Sequence, residues 1–83
     1  MHVFRYTIKD EVGIHARPAG LLVNKVKSTG AKVTVAKDGK EADASKLFAL
    51  MALAVKKGDT VTVTVDGSEE AAADIEAFFA KNL

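Results

Sequence analysis

From Thr60 to Val65 threonine and valine alternate without interruption. Successive side chains of a strand point to opposite faces, so this stretch gathers Val61, Val63 and Val65 on one face and threonines on the other. The valine face needs a cover. The same period of two opens the chain, with Phe4, Tyr6 and Ile8 on one side and Arg5 and Thr7 on the other. It recurs where Val33 and Val35 alternate with Lys32 and Thr34. Between these strands the period changes. From about Ala16, apolar residues fall at Ala19, Leu22, Val23 and Val26, the spacing of a helix with one buried stripe. Ser28-Thr29-Gly30 ends that helix, Gly30 being suited to a C-terminal cap.

Asp38-Gly39 is a two-residue hairpin turn, because glycine supplies the positive φ such turns need. A short strand over roughly Lys40 to Asp43 should follow it. Ser45 is the expected cap of a short helix through Leu47, Phe48, Leu50, Met51 and Leu53, which Lys56-Lys57-Gly58 should end. Asp66-Gly67 turns the chain after Val65, and Ser68 caps a last helix. Glu69 and Glu70 in its first turn have the charge sign that a helix N-terminus favours, and Ala72, Ile75, Phe78 and Phe79 form its apolar face. The order is therefore β-α-β-β-α-β-α. It implies an α+β fold: an open-faced two-layer β-sandwich, with a four-stranded antiparallel sheet and three helices on one face.

Eighty-three residues are expected to form a single domain over 1–83, with no repeat and no low-complexity tract. A chain this short buries only about 60–65% of its unfolded surface, so the 48% hydrophobic content must be used economically. Twelve basic and eleven acidic residues leave a formal charge of +1, without the concentrated basic field that nucleic-acid binding needs. The chain lacks cysteine, which excludes disulfides and thiolate metal sites. Its first residues have no apolar signal core, and no run approaches the ~20 apolar residues that span a bilayer. A soluble cytoplasmic protein with no membrane insertion is the expectation.

One segment is set apart by its chemistry: Gly13-Ile14-His15-Ala16-Arg17-Pro18-Ala19-Gly20. An imidazole is a nucleophile and proton acceptor near neutral pH, and His15 falls within a residue or two of a helix start. Pro18 fits the first helical position or the first turn, where no intrahelical N–H is lost. The backbone N–H groups of Ala16 and Arg17 would then be offered to an anion at the positive end of the helix dipole. The Arg17 guanidinium adds a bidentate grip on phosphate oxygens. The same dipole disfavours imidazolium and keeps His15 nucleophilic. His2 and His15 are the only histidines, and no carboxylate has a metal-ligand spacing beside His15, so no metal site and no cofactor is expected. No glycine-rich nucleotide loop is present. A phosphate donor should therefore be brought by another protein.

Taken with Lys37-Asp38-Gly39-Lys40, the Leu47-Phe48-Ala49-Leu50-Met51 helix and the Val61–Gly67 strand and turn, this segment resembles the HPr family. These are the histidine-containing phosphocarriers of the bacterial phosphoenolpyruvate-dependent sugar phosphotransferase system. The resemblance runs over essentially the whole chain. It implies that His15 is phosphorylated on Nδ1 by enzyme I at the expense of phosphoenolpyruvate and passes the group to EIIA components of sugar permeases. It implies that Arg17 contacts the phosphoryl group, and that Leu47, Phe48 and Met51 form an exposed apolar patch where partners dock. Leu50 and Leu53 read as core instead. The chain would be a carrier, not a turnover enzyme.

One position departs from the pattern. Many Gram-positive relatives carry a regulatory serine, the target of an HPr kinase, at the start of the short helix. Lys46 occupies that place here, and the serine is Ser45, one residue earlier. Ser45 thus has two readings, helix cap or modification site, and phosphate there would weaken docking at Phe48 and Met51. Two other functions compete with the carrier. A regulatory HPr-like protein docking transcription factors or metabolic enzymes would not need a phosphorylatable residue at position 15. An acylphosphatase of similar architecture would need an asparagine to orient water, and Asn24 and Asn82 are poorly placed for it.

Overall fold

The computed structural model describes the chain except Val12, His15 and the side chain of Ala16. Seven elements follow in the expected order: β1 (His2–Thr7), α1 (Ala16–Thr29), β2 (Lys32–Lys37), β3 (Lys40–Asp43), α2 (Leu47–Ala52), β4 (Thr60–Asp66) and α3 (Glu69–Asn82). The strands form one antiparallel sheet in the order β1-β4-β2-β3. The Thr/Val strand lies inside it, with Val63 opposite Phe4 of β1 on one side and Val35 of β2 on the other. Its valines are fully buried while Thr62 and Thr64 remain half-exposed, which is the open-faced arrangement that the alternation requires.

The covered face is closed by side chains at the predicted spacings. Ala19, Leu22, Val23 and Val26 of α1, Leu50 of α2, and Ala71, Ile75 and Phe79 of α3 are all buried. On α3 the buried stripe starts at Ala71, with Ala72 and Phe78 only partly covered. Phe79 organises the β1 side. Its ring meets those of Phe4 and Tyr6 edge-on, with centroids 5.6 Å away in both pairs. Such edge-to-face pairs contribute about 0.5–1.5 kcal/mol beyond the area they bury.

The punctuation follows the chemistry of the turn residues. Asp38 and Gly39 have φ of 50° and 82°, the double positive φ of a type I′ hairpin. Gly30 has φ 71° after α1. The Ser68 hydroxyl accepts the backbone N–H of Ala71 at 3.0 Å, capping α3. Helix α1 starts at Ala16, so Pro18 is its third residue, in the first turn, where an intrahelical N–H bond is not expected.

Helix α2 departs from expectation at both ends. Ser45 does not cap it: the cap position belongs to Lys46, whose side chain makes no capping bond. The Ser45 hydroxyl donates to Asp43 Oδ1 at 2.7 Å, and the Ser45 backbone N–H donates to the same oxygen at 2.9 Å. A carboxylate two residues back closes a local turn, and it takes the hydroxyl away from the helix. At the other end α2 stops at Ala52, four residues before Lys56. Ala54 swings to φ 53°, and the chain turns inward to bury Val55 at 1% exposure. Lys56 and Lys57 therefore lie in an exposed turn and do not complement a helix end.

Candidate functional site

The approach to position 15 is built by backbone. Gly13 has φ 79°, and a Cβ placed on it would lie 2.3 Å from the Val55 carbonyl oxygen and 2.7 Å from Lys56 Cα. Only glycine fits, for its φ and for the lack of space. The Gly13 N–H donates to Asp10, to Oδ2 and to the backbone oxygen, each at 3.2 Å. Next, Ile14 is buried and donates its N–H to the Val55 oxygen at 3.0 Å. On the far side of position 15, α1 starts at Ala16 and is pinned by buried Pro18 and Ala19. His15 itself lies outside the described residues. Its neighbours in sequence are held by the loop after α2 on one side and by the core on the other.

Arg17 is exposed on the first turn of α1. With Asp10, Pro18, Leu21 and Asn82 it lines an open recess of about 220 Å³. Sequence reasoning missed Asp10, Leu21 and Asn82 as neighbours of Arg17. Asn82 comes from the far end of the chain, and its amide donates to the Phe78 oxygen at 3.1 Å. The segment preceding α1 is held from the same direction, since the Leu83 oxygen accepts the N–H groups of Lys9 at 2.5 Å and Asp10 at 2.7 Å. No local pattern signals such a contact between chain ends.

The segment from Leu53 to Asp59 carries the Val55 oxygen that Ile14 meets. Its far end is tied to β1 by Ile8 N–H to the Asp59 oxygen at 2.9 Å and Gly58 N–H to the Ile8 oxygen at 2.8 Å. Asp59 Oδ2 accepts from the Lys37 ammonium at 2.9 Å and from the Lys56 N–H at 2.9 Å. These two hydrogen bonds, the lysine's first, hold the Asp59 carboxyl below its ordinary value of 3.8. Asp43 is lowered in the same sense by its bonds to the Ser45 hydroxyl and N–H.

The match to a family of known proteins is extensive. The family model described as the PTS HPr component phosphorylation site covers residues 3–81. The chain belongs to the HPr family. Phosphocarrier protein HPr of Mycoplasma genitalium is 39% identical to it over 85 residues, covering 99% of this chain and 97% of that protein. The HPr-like protein Crh of Halalkalibacterium halodurans is 36% identical over 63 residues, covering 76% of this chain and 75% of its own. In three dimensions, the histidine-containing phosphocarrier protein of a mycoplasma superposes with a TM-score of 0.89 at 28% identity, covering 96% of this chain and 93% of the other. The four-stranded antiparallel sheet with three helices is thus an HPr fold in element order as well as in outline.

Within this HPr fold the apolar residues on and just after α2 divide. Leu50 and the following Leu53 are buried, as expected for core, whereas Phe48 is 81% exposed and Met51 37%. Leu47 is half-buried. On α1, which packs against α2, Leu21 is also 48% exposed, off the buried stripe of Ala19, Leu22, Val23 and Val26 that the helical spacing predicts. Ser45 is half-buried with its hydroxyl engaged by Asp43. Among the described residues no group of three or more His, Cys, Asp or Glu side chains is arranged to hold a metal ion. No helix among them is long and apolar enough to cross a membrane.

Proposed function

We propose that residues 1–83 act as one cytoplasmic phosphocarrier domain that accepts a phosphoryl group on His15 from phosphorylated enzyme I and donates it to EIIA components of the sugar phosphotransferase system. The observation that carries this reading is the start of α1 at Ala16, with exposed Arg17 in its first turn, directly after an anchored Gly13-Ile14. A helix start offers N–H groups and positive potential to an anion. In the transfer, a bond forms from the His15 Nδ1 lone pair to phosphorus as the bond from phosphorus to the donor breaks. The reverse exchange delivers the group to EIIA. The first-turn N–H groups of Ala16 and Arg17 and the Arg17 guanidinium stabilise charge on the phosphoryl oxygens throughout. Each such dipole contribution is only about 0.3–1 kcal/mol at an exposed site, which suits a group that must be held and then released.

Leu47, Phe48 and Met51 serve as the docking patch in this reading. A phenylalanine left 81% exposed on a six-residue helix is costly to a free protein and useful against a partner. A carrier of this kind is labelled once and does not turn over. Incubation with enzyme I and phosphoenolpyruvate should therefore give one acid-labile, base-stable phosphoryl group per chain, and His15→Ala should abolish it with the fold intact. Labelling that survives this change would move the acceptor elsewhere. A chain that is never labelled would leave the regulatory, Crh-like role in its place.

A further inference from the structure

Lys37, the last residue of β2, spends its whole side chain on one segment. Its Nζ donates to the carbonyl oxygens of Ala54 at 2.9 Å and Leu53 at 3.4 Å, and pairs with Asp59 Oδ2 at 2.9 Å. An ammonium has three protons, and three acceptors surround this one. Its side chain is only 18% exposed. Asp59 carries the grip further, accepting the Lys56 N–H through the same oxygen. The pair thus clamps the segment on both sides of Val55. Ala54 sits there at φ 53°, a conformation that an alanine does not hold unaided. The Val55 oxygen of this segment receives the N–H of Ile14, the residue before position 15 in sequence.

We propose that Lys37 and Asp59 are positioning residues for phosphoryl transfer, fixing the Val55 carbonyl that anchors Ile14 and thereby the acceptor at His15. The inference rests on the phosphocarrier reading and adds to it residues remote in sequence from His15. The Lys37 ammonium meets the carbonyls of Leu53 and Ala54 just past α2 and stabilises the left-handed turn at Ala54. With that turn fixed, the Val55 oxygen has one position, and Gly13, packed against it, has one as well. Loss of the ammonium would leave two carbonyls and a carboxylate without their shared donor, and the segment would shift away from Ile14. Small displacements matter because transfer demands in-line alignment of acceptor, phosphorus and donor. Docking at Phe48 and Met51 would be untouched, since α2 keeps its buried Leu50 anchor.

The test uses Lys37→Met, which keeps the length of the side chain without its charge, and Asp59→Asn as a milder second variant. Both are assayed for the rate of phosphorylation by phosphorylated enzyme I, well below their unfolding temperatures. With either variant as phosphoryl acceptor, the kcat of enzyme I is expected to fall about five- to tenfold while its KM for the chain stays unchanged. Hydrogen exchange at the Ile14 amide should accelerate in both, with the Val63 amide in the sheet unaffected. A folded Lys37→Met with unchanged kcat, or with a rise confined to KM, overturns the proposal. So does unchanged exchange at Ile14. A wild-type chain that takes no label overturns the phosphocarrier reading itself, whereas a labelled wild type with indifferent variants overturns the positioning role alone.

Discussion

Ile14 donates its backbone N–H to the carbonyl oxygen of Val55 across 3.0 Å, and Gly13 packs against that same oxygen. The contact joins two segments separated by more than forty residues, and it tolerates no Cβ at position 13, where one would come within 2.3 Å of the Val55 oxygen at φ 79°. Gly13→Ala must therefore either part the two segments or strain both. The expected loss is about 3 kcal/mol, combining the left-handed penalty with overpacking. Urea unfolding measures it directly, and a loss under about 1 kcal/mol would mean that the contact yields without cost.

Ala54 presents the opposite case. It lies at φ 53° with its carbonyl oxygen bound by Lys37, so the left-handed turn is required while the residue there resists it. Ala54→Gly should stabilise the protein by about 0.5–1 kcal/mol. A higher unfolding midpoint at unchanged slope would confirm the strain; a lower midpoint would show that the alanine methyl packs usefully.

Those two positions also mark where sequence pattern stops being informative. The order of elements, the buried faces of β4 and α1, Ile75 and Phe79 of α3, and the caps at Gly30 and Ser68 were legible because each rests on local period or turn chemistry. The ends of α2 were not. Ser45 has the composition of a cap, yet Asp43 two residues earlier is a stronger acceptor for its hydroxyl. Ala54 has the highest helix propensity of any residue, and its left-handed turn is imposed by burial of Val55 and by a lysine seventeen positions away. At the site, Arg17 and the helix start were readable from one eight-residue segment, whereas the Val55 carbonyl is a backbone group with no sequence signature.

Acid should weaken the fold through Asp59 and Asp43. Both folded values lie below the ordinary carboxylate value of 3.8, so ionisation favours the folded state. Their contribution is complete above that value and is lost as pH falls through the lower folded values. Asp59→Asn should flatten the decline in stability between the two limits, with little change in slope at neutral pH. Unfolding midpoints measured at pH steps below 5 check this, and a slope identical to that of the wild type would remove Asp59 as a contributor.

Phe48 and Phe79 give a matched pair on one domain. Phe79 is fully buried beneath β1 and Phe48 is 81% exposed. Phe79→Ala should cost about 3–5 kcal/mol, close to the whole stability of a domain this size, and most of the protein should unfold in moderate denaturant. Phe48→Ala should leave stability within about 0.5 kcal/mol of wild type and raise the KM of enzyme I for the chain instead. A Phe48→Ala protein with normal KM would detach this side chain from docking.

Arg17→Ala separates binding of the phosphoryl group from the architecture that presents it. Arg17 is exposed and lines an open recess at the start of α1, while Pro18 and Ala19 next to it carry the packing. Its removal should leave the unfolding midpoint near that of wild type. Transfer should slow by about ten- to a hundredfold, the scale for losing one charge-assisted contact to a developing anion. Arg17→Lys should recover only part of this, because a point charge cannot span two phosphoryl oxygens as a planar guanidinium does. Equal rates for the arginine and lysine forms would reduce the role of Arg17 to simple charge, and wild-type rates for the alanine form would leave the backbone N–H groups of α1 as the sole grip on the phosphoryl group.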